Sequence, residues 1–241
     1  MHSHNTRIDD FRAQKHFEGN YQYWKHSDNK IKYVFRRTKK YIRKIETCCD
    51  IGIGNGFTLT YFNDRNVKTT GVDISPYIID HFQKKFDTLN VTIELIKADI
   101  TKSEFGTDQF NLVTCFDVLE HLPDQGLNAA IKNIADSLKP DGILIGTLPL
   151  FEQLEDAKVV CPDCGSKFHP NGHYQSFQNF EDIQNMLKSE FELIKFGEVP
   201  VLFTRIFLFY GIGNFLFKLA RRIILNKKLS TAYFVAILKN T

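Results

Sequence analysis

Three alternate glycines close a short apolar run in Cys48-Cys49-Asp50-Ile51-Gly52-Ile53-Gly54-Asn55-Gly56, and an acidic residue, Asp73, ends the next one. Glycine lets a backbone turn tightly and approach a ligand with no Cβ in the way. A glycine turn leaving one strand, with a carboxylate closing the next, describes a nucleotide-type cofactor held at the carboxyl edge of a parallel sheet. The spacing here is G-x-G-x-G. The dinucleotide fingerprint G-x-G-x-x-G sets its third glycine one residue later; here it arrives early, and Phe57 follows it. So short a pattern also marks plain tight turns, and the rest of the chain has to decide.

Along the chain, strand-like and helix-like patterns alternate. Residues 1–23 show no clear period and read as a loose arm. From Ser27 the apolar positions Ile31, Val34, Phe35, Tyr41, Ile42 and Ile45 recur at helical spacing, with Ser27 or Asp28 as the cap. A strand over 47–52 leads into the glycines and a short helix. Thr69–Asp73 is the second strand, and Ser75-Pro76 opens a helix with proline in its first turn. Val91–Lys97 and Phe110–Phe116 are the third and fourth strands, and a helix covers about 126–139. The turn Lys139-Pro140-Asp141-Gly142 leads into strand Ile143–Thr147. Phe191–Val199 and Ala232–Lys239 form the edge pair. This rhythm predicts an α/β fold: one domain over 1–241 with a doubly wound, mostly parallel seven-stranded sheet and an antiparallel last strand. Asp50, Asp73, Asp99 and Asp117 fall at four successive strand ends, where ligands of such sheets bind.

Together these segments resemble the class I S-adenosylmethionine (SAM) methyltransferases, in their small-molecule branch. The resemblance rests on Asp50 with the glycine turn, Gly71-Val72-Asp73-Ile74-Ser75, Ala98-Asp99-Ile100, the "V-L-E-H-L" of Val118–Leu122 after Phe116-Asp117, and Leu138–Leu144. It implies that Gly52, Gly54 and Gly56 line SAM, with Asp50 near its methionine moiety. Asp73, with Ile74 beside it, would hold the ribose. Asp99 and Ile100 would meet the adenine, and Phe116 and Asp117 would lie beside the sulfonium. Glu120 and His121 match the motif without an implied catalytic role. The reaction implied is methyl transfer to a small-molecule or glycan acceptor at oxygen. The chain lacks the N/D-P-P-Y/F tetrapeptide of many amino-group methyltransferases; Phe116-Asp117-Val118-Leu119 stands there instead.

The segment 150–177 carries a second pattern. Cys161, Cys164, His169 and His173 are spaced C-x-x-C-x4-H-x3-H, which suits tetrahedral structural zinc, and Gly165 permits a knuckle turn. A redox pair is the rival reading for the cysteines. Gly172-His173-Tyr174-Gln175-Ser176-Phe177 also resembles a G-H-x-x-x-F element of small-molecule methyltransferases whose His faces the active-site opening. His173, Tyr174 and His121 are therefore candidates for a base. Cys48, Cys49 and Cys115 fall on neighbouring strands and read as core thiols.

Charge is uneven. Basic residues dominate Trp24–Ile45, and from Val201 onward there are seven Lys or Arg and no Asp or Glu. Between the edge strands lies 200–230, a strongly apolar and basic segment. It has three readings: a lid over the site, a contact with a second copy of the chain in a homodimer, or a peripheral helix on an anionic membrane. The polar N-terminus and sparse cysteines read as cytoplasmic, membrane-associated if the third reading holds. Two further functions stay open on these features. One is an RNA methyltransferase gripping phosphate, for which there is no strong case. The other is a SAM-binding adaptor at a membrane.

Overall fold

The computed structural model describes residues 21–162, 164–199 and 230–239, with side chains from residue 27 onward. The N-terminal arm and nearly all of 200–230, with the readings placed on them, lie outside the described residues.

Seven strands form one sheet in the order β3-β2-β1-β4-β5-β9-β8. They are β1 (Thr47–Ile51), β2 (Lys68–Asp73), β3 (Glu94–Lys97), β4 (Phe110–Phe116), β5 (Leu138–Leu150), β8 (Phe191–Val199) and β9 (Ser230–Leu238). Pairings from β3 through β5 are parallel, whereas β9 runs antiparallel to both β5 and β8. Strand order reverses at β1, where the chain first moves outward to β2 and β3 and then returns to β4. That switch point opens a crevice at the carboxyl ends of β1 and β4.

The central strands are apolar on both faces because helices cover both. Cys48, Cys49, Leu112, Val113 and Cys115 are all fully buried. Burial pushes the three thiols well up, the first cause in each case, so they are inert core groups. Helix α3 (Pro76–Leu89) shows how local sequence sets its element. Pro76 opens it, Ile78, Phe82 and Phe86 recur every fourth residue and are buried, and Asn90 ends it with φ 52°. Helix α4 (Asp124–Ser137) buries Leu127, Ala130, Ile131 and Ile134 by the same rule.

Three details depart from the sequence reading. Helix α1 runs Tyr21–Arg37, so Ser27 and Asp28 lie inside it rather than at its cap, and 38–45 folds as turns. Strand β3 begins at Glu94, three residues later than its apolar pattern. Strand β5 begins at Leu138, which pairs with Phe110 before the ladder resumes at Leu112 and Ile143. Lys139-Pro140-Asp141-Gly142 is thus a bulge within the ladder, with Asp141 at φ 61°, rather than a turn before the strand.

After β5 the chain makes a short helix α5 (Leu154–Ala157) and a two-stranded hairpin of β6 (Val159–Val160) and β7 (Lys167–Phe168). It then returns to helix α6 (Phe180–Leu187), whose first turn is capped by the Asn179 side chain. Leu150 and Phe177 form a parallel bridge, so the two ends of this segment meet.

Candidate active site

The glycine turn between β1 and α2 (Phe57–Asn63) has Gly52, Gly54 and Gly56 at φ 73°, 52° and 72°. A side chain would be strained at each, and two positions are also walled in. A Cβ on Gly52 would lie 2.4 Å from Val118 Cγ2, and one on Gly56 2.3 Å from the Phe82 ring. Asp73 fastens the turn across the crevice. Its Oδ2 accepts from the Ile53 N–H at 3.0 Å and its Oδ1 from the Ser75 N–H at 2.9 Å. Burial raises the Asp73 carboxyl to about 6, against the pull of these backbone donors. Asp50 sits deeper, only 3 % exposed, with Thr114 Oγ1 donating to it at 2.6 Å. Burial drives its pKa well up, and Asp73 adds to the shift.

The other expected cofactor residues take distinct places. Ile74 lies open beside Asp73, 57 % exposed, while the Ile100 side chain is buried in the core. Asp99 accepts from the Thr101 N–H and hydroxyl and from Lys102 Nζ, at 3.0, 2.6 and 2.8 Å. Burial alone would raise its pKa, but those donors pull it below the ordinary value. Phe116 packs edge-on against Phe35 of α1. Asp117 turns out of β4 at φ 55°, a conformation held by Thr147, whose hydroxyl donates to it at 2.7 Å.

Helix α1 closes over this edge. Lys30 Nζ contacts the Asp117 carboxylate, and Asp28 accepts from Asn55 Nδ2 at 2.6 Å. Lys30 is mostly buried, which lowers its pKa to about 8 even though the Glu120 carboxylate favours its charge. The helical stripe of apolar residues gave no hint that this lysine faces inward.

Beside Asp117 a second polar group assembles. A 3-10 turn, Leu119–His121, carries Glu120, which is 1 % exposed and has no partner for Oε2 among the described residues. Burial raises its pKa to about 8. The returning end of the hairpin segment is stitched over this turn, with the Tyr174 and Gln175 N–H groups both donating to the Glu120 carbonyl. His121 Nδ1 donates to the Gly172 carbonyl at 3.3 Å. Across from it lies Glu152, nearly buried. Its Oε2 is 2.5 Å from His173 Nδ1, and its Oε1 is 3.4 Å from His169 Nε2. The His169 and His173 rings stack at 4.8 Å.

These contacts test the four-ligand zinc reading. Cys161 and Cys164 sit at the hairpin tip, where the Gly165 N–H donates to the Cys161 carbonyl and Cys164 Sγ lies 2.8 Å from the Ser166 hydroxyl. His169 and His173 instead turn inward to Glu152. Among the described residues, the groupings of three or more metal-ligating side chains are Glu120–His121–His173 and Glu152–His169–His173, and neither includes a cysteine. The His169 tautomer also opposes ligation. Its Nδ1 accepts the backbone N–H groups of Asn171 and His173, at 3.3 and 3.2 Å. A neutral ring then carries its proton on Nε2, which cannot at the same time bind a metal. The four residues do not fit a tetrahedral zinc in this arrangement. The backbone folding around His169 is the physical reason, and the residue spacing carried no sign of it.

A separate hollow of about 190 Å³, lined by Thr47, Lys68, Thr70, Glu94, Gln109 and Phe110, lies at the opposite, amino end of the strands, away from these groups.

Residues 48–142 match the family model described as "Methyltransferase domain". The chain is 32 % identical over 95 residues to a ubiquinone biosynthesis O-methyltransferase of Coxiella burnetii, covering 39 % of this chain and 40 % of that protein. The chain thus spans about two fifths of the length of the curated relatives it matches. Among solved structures it resembles the Burkholderia thailandensis 1,6-didemethyltoxoflavin-N1-methyltransferase, with TM-score 0.65 and 12 % identity over 100 % of this chain and 92 % of that one. It also resembles a SAM-dependent methyltransferase of Clostridium acetobutylicum, with TM-score 0.62 and 14 % identity over 97 % and 99 %. The segment 48–142 thus matches a methyltransferase-domain model, and the chain shares the Rossmann-like fold of these solved methyltransferase structures.

Proposed function

We propose that the protein is a SAM-dependent methyltransferase acting on a small-molecule acceptor at oxygen. The observation that carries this reading is the left-handed glycine turn tied to Asp73 at the switch point, on the segment that matches the methyltransferase family. The turn is fixed as glycine by its left-handed backbone and, at Gly52 and Gly56, by the packing of Val118 and Phe82. The preference for oxygen leans on the relative from Coxiella burnetii, named for O-methylation.

When bound, SAM supplies a methyl group already activated by its positive sulfur. The chain's own work is then alignment and proton handling. The Asp73 carboxylate holds the backbone N–H groups of Ile53, Ser75 and Ile74 and keeps acceptor capacity for a ribose hydroxyl. Asp99 already serves three donors, which leaves less capacity for the adenine edge. Asp50 props the turn from below through Thr114, so its role is to hold the backbone that meets the cofactor.

A melting curve with and without S-adenosylhomocysteine, the demethylated product, checks the reading. A ligand at one hundred times its Kd adds about 2.7 kcal/mol, equivalent to roughly 5–10 °C in a chain of this size. An unchanged Tm with both SAM and its product would overturn it.

A further inference from the structure

We propose that Glu152 and His173 form a proton-accepting pair serving a phenol- or enol-type hydroxyl, with His169 positioning the carboxylate. The proposal rests on the methyltransferase reading above and names the acceptor chemistry of that same site.

The hydrogen bonds assign the tautomers. Backbone N–H groups occupy His169 Nδ1, so its Nε2–H faces Glu152 Oε1 at 3.4 Å. A carboxylate accepts only, so His173 Nδ1 donates to Oε2 at 2.5 Å. Glu152 thus accepts the His173 N–H on Oε2 and has the His169 ring 3.4 Å from Oε1 without a hydrogen bond, and the lone pair of His173 is left on Nε2. A buried carboxylate that fixes a histidine tautomer in this way leaves the opposite nitrogen as a base. Burial agrees with the division of labour. The Glu152 and His169 side chains are 7 % and 4 % exposed, and His173 is the more open member. Phe151, just before Glu152, is held at φ 62° with its N–H on the Phe177 carbonyl, a strained backbone that aims Glu152 back into the group.

A second observation points to a ligand here. Glu120 Oε2 is buried without a partner among the described residues, and Glu120 groups with His121 and His173 within 4.8 Å. Burial holds Glu120 mostly neutral at pH 7, so it can give or take a hydrogen bond with an incoming hydroxyl.

The proton balance selects the acceptor. As the acceptor oxygen bonds to the methyl carbon, the carbon–sulfur bond breaks and its electron pair stays on sulfur. The hydroxyl proton passes to His173 Nε2, while Nδ1–H stays on Glu152. A neutral imidazole nitrogen is matched to a hydroxyl whose conjugate base is stabilised, as in a phenol or enol. A hydroxyl as weak as water gives up its proton far less readily than a phenol does. Sugar and other aliphatic hydroxyls lie near that weaker end, so a phenol or enol is the matched class.

Long-range ¹H–¹⁵N spectra of the full chain, labelled at histidine and glycine and saturated with S-adenosylhomocysteine, test this with catechol as the probe acceptor. The expected spectrum shows His173 protonated on Nδ1 and bare on Nε2, and His169 protonated on Nε2. In Glu152→Gln the low-field His173 Nδ1 proton should move upfield, and catechol should shift the wild-type His173 Nε2 by several ppm. A His173 protonated on Nε2, histidine signals altered by EDTA as in a metal site, or an Nε2 unmoved by catechol would each overturn the proposal. Failure of the cofactor reading would look different. Gly52, Gly54 and Gly56 amides would then ignore S-adenosylhomocysteine while the tautomers stood as assigned.

Discussion

The glycine-turn region and the 150–177 segment sit on the same sheet edge but are fastened in different ways. In the first, regular strands bring neighbours together. Asp50, Asp73 and Asp117 occupy the ends of adjacent parallel strands, and nearby backbone N–H groups on Asp73 lock the turn. In the second, a two-residue hairpin carries no core of its own. The segment's returning end is ordered by polar contacts to Glu152, near its own start, and to Glu120 on the 3-10 turn. The glycine-turn half is built by the fold, and the 150–177 half is built by a polar network laid over it.

Glycine substitutions should break this comparison most strongly. Gly56→Ala meets both a left-handed backbone and the Phe82 ring at 2.3 Å, so a loss of about 3 kcal/mol or more is expected in urea unfolding. Gly165→Ala has the same hand of backbone, φ 69°, with nothing within 4 Å, and should cost about 1 kcal/mol. Equal losses would mean that the hairpin turn is packed as tightly as the cofactor turn.

The next effect is pH dependence. Glu120 has a folded pKa of about 8 against an ordinary 4.5, through burial, with Lys30 opposing and Glu152 reinforcing the shift. A raised pKa means stability that is full below 4.5 and is lost as pH rises towards 8. Asp73, raised to about 6, acts in the same direction over its own window. Glu120→Gln should flatten the fall between pH 5 and 8 by about 3 kcal/mol, read from denaturant midpoints at each pH. An unchanged slope would show that Glu120 is ionised in the folded chain.

The smallest effect belongs to the cysteines. Since Cys161 and Cys164 lie apart from the histidine group, the double change to serine should alter stability by about 0.5 kcal/mol or less. A collapse of the hairpin together with loss of bound zinc would instead favour the four-ligand arrangement.

Legibility in the sequence follows the same division. The mostly parallel seven-stranded sheet, the glycine turn and the strand-end carboxylates could be read because regular elements have fixed periods and the glycines have one conformational use. Lys30 could not, because a charged residue on an apolar helix stripe reads as solvated unless its partner, Asp117, is known. Glu152 carried no pattern at all. It follows the single left-handed residue Phe151, and its partners lie 17 and 21 positions ahead. The Cys/His spacing gave four residues suited to zinc but not their directions; for His169 the N–H groups of Asn171 and His173 decide it. The helix α1 start was missed because Tyr21–His26 show no apolar period.

The most direct measurement is calorimetric binding of S-adenosylhomocysteine to the wild-type chain, Asp73→Ala and His173→Gln. The wild type should bind. Asp73→Ala should lose at least tenfold, because the turn loses its fastening and the ribose its acceptor. His173→Gln should bind within about twofold of wild type, since a tenfold change needs about 1.4 kcal/mol of contact with the cofactor itself. A His173 variant that loses as much affinity as Asp73→Ala would contradict the separation of cofactor and acceptor halves, and a wild type that does not bind would contradict the function itself.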